Sequence, residues 1–295
     1  MPVDPLAPSA FREITITTRD GETLAARHYA PTQRAIGAVL IVPAMAVPQA
    51  FYQAFATFLA AHGHHVLSFD FRGIGASKKA GLSLRSVETD LVRWAEYDAA
   101  AALTELRLRA DKLPITWVGH SFGGQVLPLT PNHHLVSKVI TVSTGSGYWR
   151  ENAAPLRKKV GFFWYGFVPV LTPLYGYFPG KRLGMVGDLP RGVIRQWRQW
   201  CLNRDYLVGV LGDSMRKRFA EFSTPMTSFS FTDDEMMSER NVTSIHEFYV
   251  GAKPVMRRFS PSDLGVDKVG HFGFFRSAMR EPLWERHVLA ELAGR

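Results

Sequence analysis

The stretch Pro114-Ile-Thr-Trp-Val-Gly-His-Ser-Phe-Gly-Gly124 decides how this chain is read. Ile115, Trp117 and Val118 make a short apolar run suited to a buried strand. Gly119-His120-Ser121-Phe122-Gly123 then fits G-x-S-x-G, the sharp strand-to-helix turn that exposes a serine hydroxyl. Such a turn holds its serine in a strained backbone region, and a side chain at either glycine would collide with the neighbouring strand or helix. Amides at the start of the following helix would point to where an oxyanion forms.

Working outward, the chain alternates strand and helix signals. Upstream, Glu13 to Thr18 alternates apolar and polar residues, Asp20-Gly21 supplies a tight turn, and Thr23 to Tyr29 reads as the hairpin partner. Ala38 to Val42 is a continuous apolar run suited to a strand covered on both faces, and His65 to Phe69 is the next strand. Phe51 to Ala61 has helical spacing, and Ser86 is placed to cap a long helix from Val87 to Arg109. Downstream, Pro128 and Pro131 should cut short the helix that follows Ser121. Lys138 to Val142, Pro225 to Phe231 and Val255 to Phe259 are strand-like, whereas Ser238 to Val250 and Glu281 to Leu292 are helix-like. The expected class is therefore α/β, with a mainly parallel eight-stranded sheet, helices on both faces and an antiparallel hairpin at one edge.

The 295 residues, 46% of them hydrophobic, suffice for a large core in one domain with an insertion or in two small ones. The formal charge of +9 is unevenly placed. Ser146 to Ala220 holds 13 Lys+Arg against 4 Asp+Glu, and 14 of the 36 Phe, Trp and Tyr residues. The rest of the chain is formally neutral, so this window reads as a basic, aromatic insertion (146–220) in a body made of 1–145 and 221–295. Val160 to Phe178 is uncharged, but Pro169, Pro173 and several glycines argue against a membrane-spanning helix. The first ten residues show no basic start and no apolar run, so no signal peptide and a cytoplasmic location are expected. Cys201 is the single cysteine, which excludes an internal disulfide and a cysteine metal cluster. No nucleic-acid recognition motif accompanies the basic charge, so no nucleic-acid partner is expected, while contact with an anionic membrane surface stays open as a lesser reading.

Four landmarks in chain order resemble the α/β-hydrolase superfamily. They are Asp70-Phe-Arg-Gly-Ile-Gly-Ala-Ser77, the serine turn, the strand Pro225 to Phe231 ending in Thr-Asp-Asp234, and Gly270-His-Phe-Gly-Phe-Phe-Arg276. Gly176-Tyr-Phe-Pro-Gly-Lys-Arg182 is also similar to an uncharacterised bacterial group of predicted α/β-hydrolases. The resemblance implies an α/β-hydrolase sheet with an inserted cap, and the serine, acid, histidine order of that superfamily.

On that reading Ser121 is the nucleophile and His271 the base that a weakly nucleophilic hydroxyl needs. His120 is taken as structural, His62, His64, His65, His133 and His134 as solvated, and His246 as part of a helix. The acid is Asp234, counting from Pro225, with Asp233 its alternative and the other of the two a solvated turn residue. The amides of Phe122 and Met45 would form the oxyanion hole, although Pro43-Ala44-Met45 replaces the His-Gly of many relatives. In the insertion, Val193, Ile194, Trp197, Trp200 and Cys201 share one helical face, and Arg191, Arg195 and Arg198 share another. One reading packs this helix's aromatic face on the body and leaves the arginines in solvent; the sharper one makes Trp149, Phe163, Trp164, Trp197 and Trp200 the candidate lining of an acyl pocket, with the cations suited to an anionic substrate. The implied activity is hydrolysis of a carboxylic ester or related acyl bond without metal or organic cofactor. Acyl transfer or thioester cleavage on the same residues, and a non-catalytic binding module, are the alternatives.

Overall fold

The computed structural model describes residues 11–185 and 187–294. Residues 1–10, on which the expectation about a signal peptide rests, lie outside the described residues. β1 (Arg12–Thr17) and β2 (Thr23–Tyr29) form the antiparallel edge hairpin, with Ile16 opposite Leu24. β3 (Gly37–Val42), β4 (His64–Phe69), β5 (Ile115–His120) and β6 (Lys138–Val142) follow. Two-residue strands β7 (Tyr177–Phe178) and β8 (Leu189–Pro190) pair separately, and β9 (Met226–Phe231) and β10 (Val255–Phe259) complete the main sheet. Its eight strands run β1-β2-β4-β3-β5-β6-β9-β10, and every pair from β4 onward is parallel.

This order fixes where a site can lie. The chain leaves β3 for β4 on one side and returns to β5 on the other, so the switch point where such sheets build their sites lies at the carboxyl ends of β3 and β5. Every residue of β3 and β5 is buried, as continuous apolar strands covered on both faces require. Successive residues feed opposite cores: Trp117, Leu40 and Val42 join Trp94 and Leu103, whereas Val118, Val39 and Ile41 join Phe55 and Trp284.

α1 (Gln53–Ala61) buries Phe55, Ala56, Phe58, Leu59 and Ala60. The long helix expected from Val87 begins later, as α2 (Leu91–Arg93), a π-helical stretch Trp94–Ala99, and α3 (Ala100–Ala110). Ser86 is not its cap. Val87 is extended, the Asp90 carboxylate accepts the Arg93 amide at 2.8 Å, and Gln196 Oε1 accepts the amides of Leu91 and Val92. Asp90 is thus the local cap, and Gln196, from the segment between β6 and β9, adds a distant acceptor at the same helix start.

α4 (Phe122–Gln125) is short, and Pro128 follows it in a single turn. Between β6 and β9 come α5 (Ala154–Phe162), a π-helical stretch Phe163–Phe167, α6 (Val168–Tyr175), α7 (Arg191–Leu202), α8 (Tyr206–Leu211) and α9 (Asp213–Glu221). α10 (Glu239–His246) opens on a reciprocal cap between Ser238 and Asn241. A π-helical stretch Arg280–Val288 and α11 (Leu289–Ala293) close the chain. Among the described residues no helix is long and apolar enough to cross a membrane.

His64 is not solvated as its position at an element end suggested. It is buried at the start of β4, against Gly37. Burial pushes His64 and His246 down to about 4 and His120 down to about 3. An unfolded histidine takes a proton near pH 6.5, so on acidification the unfolded chain binds protons that these folded rings refuse. Their contribution is fully present above about pH 6.5 and is lost as the pH falls toward the folded values, by about 1.4 kcal/mol per pH unit for each ring. Urea unfolding should therefore show a clearly lower midpoint at pH 4.5 than at pH 7. Equal midpoints would mean that the three rings are protonated in the folded protein.

Candidate active site

β5 delivers Ser121 onto a backbone of φ 50°, ψ −112°, a left-handed strain that a serine adopts only when its surroundings impose it. The surroundings are tight. A Cβ on Gly119 would sit 2.5 Å from the Gly123 carbonyl oxygen, and one on Gly123 would sit 2.1 Å from that of Val42. Close approach to β3 therefore demands glycine at position 123. The Ser121 amide donates to the Val142 carbonyl at 2.8 Å, and Trp117 Nε1 donates to the Gly123 carbonyl at 2.9 Å, tying the turn to both flanking elements.

Three consecutive carboxylates after β9 grip the histidine loop. Asp234 accepts from His271 Nδ1, at 2.9 Å to Oδ2 and 3.1 Å to Oδ1, and both side chains are 2% exposed. Burial pushes the Asp234 carboxyl up, but the His271 hydrogen bond and charge and the amides of Met237 and Met236, each 2.8 Å from Oδ1, more than offset it, so its pKa lies below the usual value. Asp233 is not a solvated turn residue. Its Oδ2 accepts the amides of Val269 and Gly270 at 2.8 and 3.0 Å. Glu235 Oε2 accepts the amide of His271 itself at 3.1 Å. Sequence reading missed these two roles, and its only trace of them was the acidic run itself.

His120 links the histidine loop to the loop after β3. Its Nε2 lies 3.0 Å from the His271 carbonyl oxygen, which can only accept, so Nε2 carries the proton. Nδ1 then accepts from the Tyr52 hydroxyl at 2.9 Å, and that oxygen accepts the Ala44 amide at 2.8 Å. Burial holds the tyrosine protonated, consistent with its donating. One neutral imidazole thus fixes both loops, and Tyr52 is a partner that the sequence did not announce. Met45 follows Ala44, is buried, and lies with Phe122 in the same apolar cluster. Among the described residues neither the Met45 nor the Phe122 amide donates to a protein acceptor.

The Asp70 carboxylate joins the loops after β3 and β4 by accepting the amides of Gln49 at 2.6 Å and Ala76 at 2.8 Å. Arg72 is clamped between Asp98 and Asp20, with contacts of 2.6 and 2.7 Å. The segment 146–220 reaches the serine turn through Tyr206, whose hydroxyl donates to Gln125 Oε1 at 3.0 Å while Gln125 Nε2 donates to the Gly145 carbonyl. Phe163, Trp164 and Trp200 are buried within that segment, and Trp149 and Trp197 are half-buried. Trp164 meets Trp197 edge-on at 5.2 Å, and Trp200 meets Tyr206 at 5.7 Å. Arg191 and Arg195 are exposed, but Arg198 is not a solvated cation: its Nε donates to the Trp164 carbonyl at 2.6 Å.

A parallel sheet with a strained serine after its fifth strand and a buried carboxylate–imidazole pair after its last strands places the protein in the α/β class with hydrolase-type architecture. Residues 39–282 match the alpha/beta hydrolase family, and the chain belongs to it. Among solved structures, an esterase from Pyrococcus furiosus, Pf2001, is similar at 16% identity and a TM-score of 0.60, over 96% of this chain and 89% of that one. A thermostable carboxyl esterase from Bacillus coagulans is similar at 14% identity and 0.58, over 85% and 89%. A soluble variant of monoglyceride lipase from Saccharomyces cerevisiae, bound to a substrate analogue, is similar at 16% identity and 0.60, over 86% and 87%. At these identities the likeness shows the fold. No curated protein sequence matches the chain.

Proposed function

We propose that the protein is a serine hydrolase that cleaves a carboxylic ester or related acyl bond through an acyl-serine. The observation that carries this reading is the buried pair of His271 Nδ1 and Asp234 Oδ2 at 2.9 Å, in a loop whose His271 carbonyl accepts from His120, the residue before a serine held at φ 50°. With its proton at Nδ1 committed to Asp234, the imidazole offers Nε2 as the base. Ser121 Oγ attacks the acyl carbon as its proton passes to Nε2, and the amides of Met45 and Phe122 receive the oxyanion. The protonated His271 then gives that proton to the leaving oxygen as the bond to it breaks, which leaves the acyl-serine. Water, deprotonated by the same nitrogen, adds to the acyl carbon, and Ser121 Oγ departs with the proton.

In this reading 146–220 is a cap on the body formed by 1–145 and 221–295. The acyl group lies against its aromatic side chains, of which Trp149 and Trp197 keep exposed surface and Phe163, Trp164 and Trp200 form the backing. A fluorophosphonate should add once per chain, and peptide mass spectrometry should find it on Ser121. An absent adduct, or an adduct on another serine, would remove the assignment.

A further inference from the structure

The insertion presents a surface that this chemistry does not use. From Ala154 to Tyr175 the backbone runs as one helix through α5, the π-helical stretch and α6. Val160, Phe163, Trp164, Val168 and Thr172 recur at helical spacing and are buried. The other side is apolar as well, yet open: Phe162 is 66%, Tyr165 59%, Val170 61% and Leu174 70% exposed, with Pro169 and Pro173 between them. Leu183 and Met185 extend this surface beyond the helix. Apolar exposure this concentrated marks an interaction site and not ordinary surface.

Charge identifies the partner. Between Asn152 and Gly187 the chain has no Asp or Glu and five cations. Arg157, Lys158 and Lys159 lie exposed before Phe162, and Lys181 and Arg182 lie exposed after Leu174. Among the described residues none of the five is within ion-pair distance of a carboxylate. Arg85 from the body also packs against Gly176, at the end of α6. An apolar ridge is therefore bracketed by free cations at both ends. A protein partner would expect about one hydrogen bond per 100–200 Å² of interface. From Phe162 to Leu174 this face offers only the Tyr165 hydroxyl, because Trp164 and Thr172 point inward. Among the described residues no helix is long and apolar enough to cross a bilayer, but one of this kind can lie in its interface.

We propose that this face docks on an anionic phospholipid bilayer, the ridge entering the interfacial region and the cations at its ends meeting lipid phosphates. The proposal does not depend on the hydrolase reading. It is tested with the full chain in flotation assays, using vesicles of pure phosphatidylcholine and of phosphatidylcholine and phosphatidylglycerol in equal parts. The protein should float with the mixed vesicles and largely stay behind with the neutral ones. Lys158→Gln with Lys159→Gln should weaken binding by about fivefold per charge removed. Phe162→Ser with Leu174→Ser should weaken it by about tenfold or more. Circular dichroism and melting temperature show whether each variant is folded. Failure of the parent to float with mixed vesicles overturns the proposal, as does equal flotation of the folded ridge variant. It also falls if the parent is a dimer in solution that the ridge variant turns into a monomer, for the ridge then covers a second copy.

Discussion

Ser121→Ala is expected to lower kcat for ester hydrolysis by about 10⁶-fold, the size of loss seen when a serine nucleophile is removed from a complete catalytic set. The loss should be chemical and not structural. Alanine at φ 50° bears the same backbone strain as serine, and the glycines that seat the turn are unchanged. Melting temperature should therefore stay close to that of the parent. Ser143 provides the control. It too lies at positive φ, 48°, is buried, and directly follows the adjacent strand β6. It lacks the glycine-flanked turn into a helix. Ser143→Ala should retain turnover within about tenfold, an allowance for small repacking of the neighbouring strand end. If Ser143→Ala were the silent enzyme and Ser121→Ala the active one, the nucleophile would be misassigned.

The acidic run gives the second large effect. Asp234→Asn keeps the shape of the side chain but removes the charge that orients and stabilises the imidazolium, and it should cost about 10⁴-fold in kcat. Asp233→Asn and Glu235→Gln remove charged acceptors for the amides of Val269, Gly270 and His271 and leave the imidazole partner in place. A hydrogen bond to a charged group is worth about 1.5–3 kcal/mol, and an amide oxygen can still accept, so these two should cost about tenfold. Steady-state kinetics on one chromogenic ester orders the three. Equal losses at 233 and 234, or a reversed order, would place the orienting acid wrongly.

Most of the frame was legible because it rests on local chemistry. Continuous apolar runs such as Ala38 to Val42 become strands covered on both faces, and glycine spacing around Ser121 specifies a turn that other residues cannot enter. What was illegible depends on partners distant in the chain. The helix starts after Asp90 and not Ser86: Asp90 caps it locally, and Gln196, more than a hundred positions later, accepts the amides of Leu91 and Val92. Asp233 read as a turn residue because the amides that it holds lie 36 and 37 positions onward. Between β6 and β9, helical spacing alone could not say which aromatic faces inward. Phe162 and Phe163 are adjacent, yet the first is 66% exposed and the second 8%.

Three acids in a row look redundant, and the loop that carries them lies partly at the surface, where changes in length are usually tolerated. Each carboxylate here answers a different atom: two amides, an imidazole nitrogen, then a third amide. The segment works as a ruler with one setting. Deleting a single residue between Phe231 and Asp233 would slide every acid one place along, offering Glu235 to the ring and Asp234 to the amides of Val269 and Gly270. Composition and net charge would hardly change. Variation in this loop is therefore tolerated more readily in kind than in number, and an alteration of length would silence the site in a chain that still folds.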